Sequence, residues 1–228
     1  MKLKGFILLC CLGAAPCLAQ QSEVRNVDRF TGVKTGEAID VYLKKADKES
    51  VRVEATGESL SNIVTEVSGS YLKIHLRNNS FFRGKSTVKV YVNYVSLDRI
   101  SASSASNVFS DGPIRCNSME IHASSAADIE VSLDATDVRV HASSAADVIL
   151  QGTAKSIDAE ASSSGDIDAY NLTVERAEAS ASSAGGIKLS VTQDLRANAS
   201  SGGSVRYRGN PLKTNANSSS GGSVKKSN

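Results

Sequence analysis

Along the C-terminal half of the chain, apolar and polar residues alternate in short runs that are interrupted at near-constant intervals. Met119, Ile121 and Ala123 fall on one face, with Glu120 and His122 on the other. Val138, Val140 and Ala142 repeat this against Arg139 and His141, and Ile157, Ala159 and Ala161 against Asp158 and Glu160. A period of two marks a β-strand. Each run ends in one phrase, Ala123-Ser124-Ser125-Ala126-Ala127-Asp128-Ile129, which returns at Ala142 to Val148 and at Ala161 to Ile167. Looser copies stand at Ala102 to Val108, Ala181 to Ile187, Ala199 to Val205 and Ser218 to Val224. Marked by the first Ser of each pair (Ser103, Ser124, Ser143, Ser162, Ser182, Ser200, Ser219), the steps are 21, 19, 19, 20, 18 and 19 residues.

A repeat near 19 residues made of strand, corner and strand points to a solenoid. After each corner a second short strand begins, with Ile129 and Val131, Val148 and Leu150, Ile187 and Leu189, then Val205 and Tyr207 facing inward. One such unit buries too little to offset the entropy of ordering it, so neighbouring rungs must supply ladder hydrogen bonds and stacked side chains. The predicted fold is all-β: a β-helix or β-solenoid of ~19-residue rungs, right-handed because strand crossovers are. Small residues suit the bend. Asn107, Asp128, Asp147 and Asp166 just after it are expected to cap freed backbone N–H groups.

Residues 20–100 lack the Ser-Ser phrase but are rich in alternating runs: Ile39, Val41 and Leu43; Val51 and Val53; Leu72, Ile74 and Leu76; Val88, Val90 and Val92. A brief helical turn is expected at Glu58 to Ile63. An uncovered β-helix end exposes unpaired backbone, so 20–100 is expected to form a less regular, β-rich cap leading into a repeat region, 101–228.

Residues 1–19 read as a secretory signal peptide, with Lys2 and Lys4, an apolar run from Phe6 to Leu12, and a cleavage site ahead of Gln20. No later run is long enough for a transmembrane span. The expected location is therefore outside the cytoplasm: periplasm, cell surface or secreted. Three of the four cysteines lie in the signal, which leaves Cys116 without a disulfide partner and fits a packing residue.

Losing Lys2 and Lys4 takes the formal charge from +2 to 0, which argues against nucleic acid as a partner. The charge is unevenly spread: 101–185 holds four basic and thirteen acidic residues, 186–228 seven basic and one acidic. A rod with an acidic middle and a basic tip is suited to end-to-end self-association or to a charged partner.

The series Phe30-Thr31-Gly32-Val33, Ile39-Asp40-Val41-Tyr42-Leu43, Val51-Arg52-Val53-Glu54-Ala55, Tyr71-Leu72-Lys73-Ile74, Val88-Lys89-Val90-Tyr91-Val92 and Leu97-Asp98-Arg99-Ile100-Ser101 resembles the putative auto-transporter adhesin, head GIN domain family, over about residues 27–210. The resemblance implies a β-helix-like fold, an exported protein of the Bacteroidetes cell envelope, and no catalytic residues or cofactors. The chain carries no strand series for an outer-membrane barrel, so the auto-transporter label is not expected to hold literally.

Two groups of residues carry candidate chemistry. His122, His141 and Glu160 fall two residues before successive marked serines, on one outward line, and are the residue types that bind a divalent transition metal. Phe81, Phe82, Arg83 and Lys85 gather rings and cations in one loop, a combination suited to sugar stacking or an acidic partner. Asp128, Asp147 and Asp166 form a third line, read as corner residues because the calcium-binding solenoid motif is absent. No nucleophile stands beside a base with an orienting third group. The expected function is a non-enzymatic, adhesin-like binding or structural module of the envelope, whose ligand, a glycan or a protein, meets stacked polar strand faces. The alternative is a carbohydrate-active enzyme or carbohydrate-binding protein on the same scaffold.

Overall fold

The computed structural model describes residues 20–77 and 86–227; residues 1–19, expected to be a signal peptide, and Phe81, Phe82, Arg83 and Lys85 lie outside them. Among the described residues sixteen strands, numbered in chain order, build a β-solenoid of about seven turns. They are β1 (Gln21–Arg25), β2 (Gly32–Thr35), β3 (Asp40–Lys45), β4 (Ser50–Thr56), β5 (Ile63–Ser68), β6 (Tyr71–Leu76), β7 (Thr87–Tyr94) and β8 (Arg99–Ala102), followed by β9 (Asn107–Ala123), β10 (Asp128–Ala142), β11 (Asp147–Ala161), β12 (Asp166–Ala181), β13 (Gly186–Ala199), β14 (Ser204–Arg208), β15 (Lys213–Ser218) and β16 (Ser223–Lys226). Each strand from β9 to β13 runs from one corner to the next, so it comprises the trailing leg after one corner and the leading leg before the following one. All pair in parallel, and equivalent residues form files along the axis: Ile129 with Val148 and Ile167, His141 with Glu160 and Ser180.

The corners explain the Ser phrase. Ser144 and Ala145 both have positive φ (54° and 58°), and the N–H of Ala146 donates to the Ser143 carbonyl at 3.2 Å. That is a turn with two consecutive left-handed residues, normally the place of Asn-Gly. Among the described residues, fourteen non-glycine residues have positive φ, and every one of these lies in such a corner. Each costs about 1–2 kcal/mol in isolation, so the corners hold only because neighbouring rungs bond them. The Ser143 N–H donates to Ala123 (3.0 Å), that of Asp147 to Ala127 (3.0 Å), and that of Ala145 to the next rung's Ser163 (3.1 Å). With the corner N–H groups taken by backbone carbonyls, the aspartates have nothing to cap. Asp128, Asp147 and Asp166 instead stand exposed in one file, which corrects the capping role expected of them.

The coil also begins before the Ser phrase does. Thr35-Gly36-Glu37-Ala38-Ile39-Asp40-Val41 is a corner of the same kind, with Glu37 and Ala38 at φ 62° and 56°, and it joins β2 to β3 as the two legs of a rung. On one side this rung pairs with β8 and β9, on the other with β6 and β7, all in parallel. Beyond that the pairing turns antiparallel: β5 on β6, β4 on β7, β1 on β4. Leu60–Asn62 forms the short 3₁₀ turn at the expected place.

The interior is one continuous apolar column. Val108, Ile129, Val148, Ile167, Ile187 and Val205 are all at most 1% exposed. Tyr207, expected inward, is only half-buried. Inside the bend the file of Ala127 and Ala146 passes to glycine at Gly165 and Gly185, where a Cβ would stand 2.6 Å from the backbone of the preceding rung.

Two substitutions test the corner. Gly185→Ala forces the rungs apart and is expected to cost about 1–3 kcal/mol, while Ala145→Gly relieves a left-handed alanine, as Gly202 and Gly221 do in later turns, for a gain of about 0.5–1 kcal/mol. Thermal denaturation should show the first melting below the parent and the second above it.

The acidic file gives a pH test. Burial, then Asp128 and Asp166, hold the Asp147 carboxyl above its ordinary pKa of 3.8. A raised carboxyl takes up its proton more readily in the folded state, so its contribution to stability falls as pH rises from 3.8 through the folded pKa and stays low above it. Asp147→Asn is therefore expected to raise the melting temperature at pH 7, with the gain vanishing near pH 3 and shrinking in high salt.

Candidate functional site

The outer face of the leading legs carries two polar files in register. One contains Arg99, Glu120, Arg139, Asp158, Glu178 and Arg196; the other Ser101, His122, His141, Glu160, Ser180 and Asn198. Both follow from the period-two pattern, which turns every second residue of the leading legs outward, and from the corners, which fix the register. Opposite charges meet at several positions: Arg139 with Asp158 at 3.9 Å, and Arg115 with Asp134 at 3.3 Å. Ser156 Oγ donates to Asp137 at 2.5 Å.

Across this face runs a shallow concavity of about 470 Å³ spanning five stacked strands, from Ser118 on β9 to Arg196 on β13, with Arg139, Asp158, Arg176 and Asp194 along it. Asp158 is half-buried in it. Burial, then Glu160 and Glu178, raise its pKa above the usual carboxylate value, and Arg139 opposes the rise.

His122, His141 and Glu160 are register partners on successive rungs. The two imidazole centroids are 6.0 Å apart and tilted by 55°. Each ring has its own carboxylate: His122 Nε2 lies 2.9 Å from Glu120 on the same strand, and His141 Nδ1 3.6 Å from Glu160 across the rungs. Among the described residues, no group of three or more His, Cys, Asp or Glu side chains is placed to hold a metal ion. Cys116 is half-buried, and burial, with Asp98 and Asp134 adding to it, pushes its thiol up to about 11. It remains protonated at neutral pH and is a poor nucleophile.

One feature of the trailing legs escaped sequence reasoning. Tyr91, Tyr42 and Phe109 stack on three neighbouring strands at 5.1 and 5.4 Å, and the Arg52 guanidinium caps Tyr91 at 4.0 Å. Tyr42 and Phe109 each sit two residues after the corner's Asp40 or Asn107. Recognising Thr35 to Val41 as a corner would have aligned them.

The model of the family described as putative auto-transporter adhesin, head GIN domain, matches residues 29–211. The chain belongs to this family. Among solved structures, a putative adhesin from Bacteroides fragilis superposes with a TM-score of 0.84 at 20% identity, covering 94% of this chain and 100% of that one. A putative adhesin from Parabacteroides merdae gives 0.76 at 15% identity, with 92% and 96% covered. A putative lipid binding protein from Parabacteroides distasonis gives 0.74 at 21%, with 92% and 97% covered. At these identities the likeness establishes the shared solenoid fold. Among curated proteins none matches the chain. No helix among the described residues is long and apolar enough to cross a membrane.

The opposing effects on Asp158 can be separated. In Arg139→Ala, NMR titration is expected to place the Asp158 carboxyl higher than in the parent, because the one neighbouring cation that lowers its pKa is gone.

Proposed function

We propose that the protein is an exported, non-enzymatic, adhesin-like binding module of the cell envelope, with its ligand lying across the rungs in the leading-leg concavity. The observation that carries this is the concavity itself: open, polar, and lined at rung spacing by alternating cations, carboxylates and hydroxyls. A surface of repeated donors and acceptors about 4.8 Å apart suits an extended polar chain, a glycan or a peptide, better than a compact metabolite, which calls for an enclosed, largely apolar pocket. Family membership and the adhesin-named neighbours support a binding role. The signal-like residues 1–19 support export to the periplasm, the cell surface or the medium.

On glycan and envelope-extract arrays the parent should bind, and Arg139→Ala and Arg196→Ala should each weaken binding about tenfold or more if their guanidinium groups hydrogen-bond the ligand. Unchanged affinity in both variants would rule the concavity out. Surface proteolysis of intact cells separates an outward-facing adhesin from a periplasmic protein.

A second reading rests on Asp158. A carboxyl of raised pKa flanked by Glu160 and Glu178 in a groove is also how a carbohydrate-active enzyme holds a general acid. Release of reducing ends from a bound polysaccharide, lost in Asp158→Asn, would favour catalysis. Binding without product favours the module.

A further inference from the structure

At the capped end of the same face, Lys34 on β2 and Lys73 on β6 are register partners, so two ammonium-bearing side chains leave adjacent strands side by side. Like charges directly opposite one another in a sheet cost stability. Lys73 Nζ donates to Ser68 Oγ at 3.1 Å, and among the described residues neither ammonium has a carboxylate within ion-pairing distance. On its other side Lys73 has Glu66 of β5 directly opposite it, whereas Lys34 has Ser101 of β8.

The two lysines border a concavity of about 280 Å³, completed by the Gly36-Glu37 corner, His75, Ser103 and Ser104. Here the corner begins with glycine where every later corner begins with serine. A Cβ on Gly36 would stand 3.3 Å from Ser103 Oγ, so its absence leaves that hydroxyl uncovered. Thr35, between Lys34 and Gly36, turns inward beside Ile74 and Ala102 and is 2% exposed, so its hydroxyl is not presented to the concavity. Two carboxylates lie nearby: that of Glu37 accepts the Leu76 N–H, and that of Glu66 lies 3.9 Å from His75 Nε2. His75 Nδ1 faces the Leu76 carbonyl at 3.0 Å.

We propose that this concavity binds a phosphate group, as a phosphomonoester or phosphodiester, between the Lys34 and Lys73 ammonium groups, with the Ser103 and Ser104 hydroxyls as further donors. Two point-charge cations with rotatable donors fit a tetrahedral oxyanion, whereas a planar carboxylate is matched by the fork of an arginine. The site stands apart from the long concavity and does not depend on it.

The test uses the purified protein at low ionic strength, with glycerol phosphate followed by calorimetry and thermal melting, and with phosphatidylglycerol and phosphatidylcholine vesicles followed by co-sedimentation. Glycerol phosphate or phosphatidylglycerol, but not phosphatidylcholine, should bind saturably. Lys34→Ala and Lys73→Ala should each weaken that binding at least tenfold, and Lys34→Ala should melt no lower than the parent in the absence of ligand, because the ammonium repulsion is gone. Lys34→Gln, which keeps the aliphatic stem, should behave like Lys34→Ala. Binding of the soluble ester alone identifies a soluble phosphate compound as the ligand source, and binding of the anionic vesicles alone a lipid headgroup. Saturable binding of neither, or binding that a variant carrying both Lys34→Ala and Lys73→Ala retains, overturns the proposal.

Discussion

The structure depends on a hydrogen bond that no single rung can make for itself. Each corner holds two left-handed residues, mostly Ser and Ala, in a conformation that an isolated peptide of this composition would leave. The N–H of Ala145 donating to Ser163, and that of Ser143 donating to Ala123, keep it in place. Strain in one rung is offset by bonding to the next, so the coil is cooperative at its bends as well as along its strands. The corners also remove any freedom of register, since slipping by one residue would place Val140 outside and His141 inside.

That fixed register is what gives the surface its chemistry. On the leading-leg face one file runs from Lys73 and Lys34 at the capped end, through Ser101, His122, His141 and Glu160, to Ser180 and Asn198. Cationic, imidazole, carboxylate and neutral stretches follow one another along a single line. Binding specificity on such a surface is set by position along the axis, and the shallow concavity marks where several rungs act together.

Much of this was legible in the sequence, for a physical reason: the repeat makes every rung report on the others. The inward files and the Ser corners could be read because the same demand recurs at each turn. The first rung could not, because Thr35-Gly36-Glu37 keeps the backbone conformation of a corner while losing both serines; only Ala38, Asp40 and Val41 preserve the phrase. The role of Asp128 and Asp147 was misjudged for a related reason. A corner considered alone has N–H groups to cap, whereas a stacked corner has given them to the next rung. The His122, His141 and Glu160 file was visible as a line, but the preference of His122 for Glu120 on its own strand depends on side-chain rotamers that spacing does not encode. The rings of Tyr91, Tyr42 and Phe109 come from rungs whose order in space differs from their order in the chain.

This difference in order sets how the chain must assemble. From β9 onward each rung packs against one completed about 19 residues earlier, a short loop to close. The β2–β3 rung instead lies between two that arrive later: Val33 pairs with Leu72, 39 positions on, and with Ile100, 67 positions on. Its left-handed corner at Glu37 and Ala38 has no neighbour to hold it until both arrive, so the slow, long-range step of folding belongs to the N-terminal third. Once that template closes, the remaining turns add to it in sequence, each supplying the edge on which the next one forms.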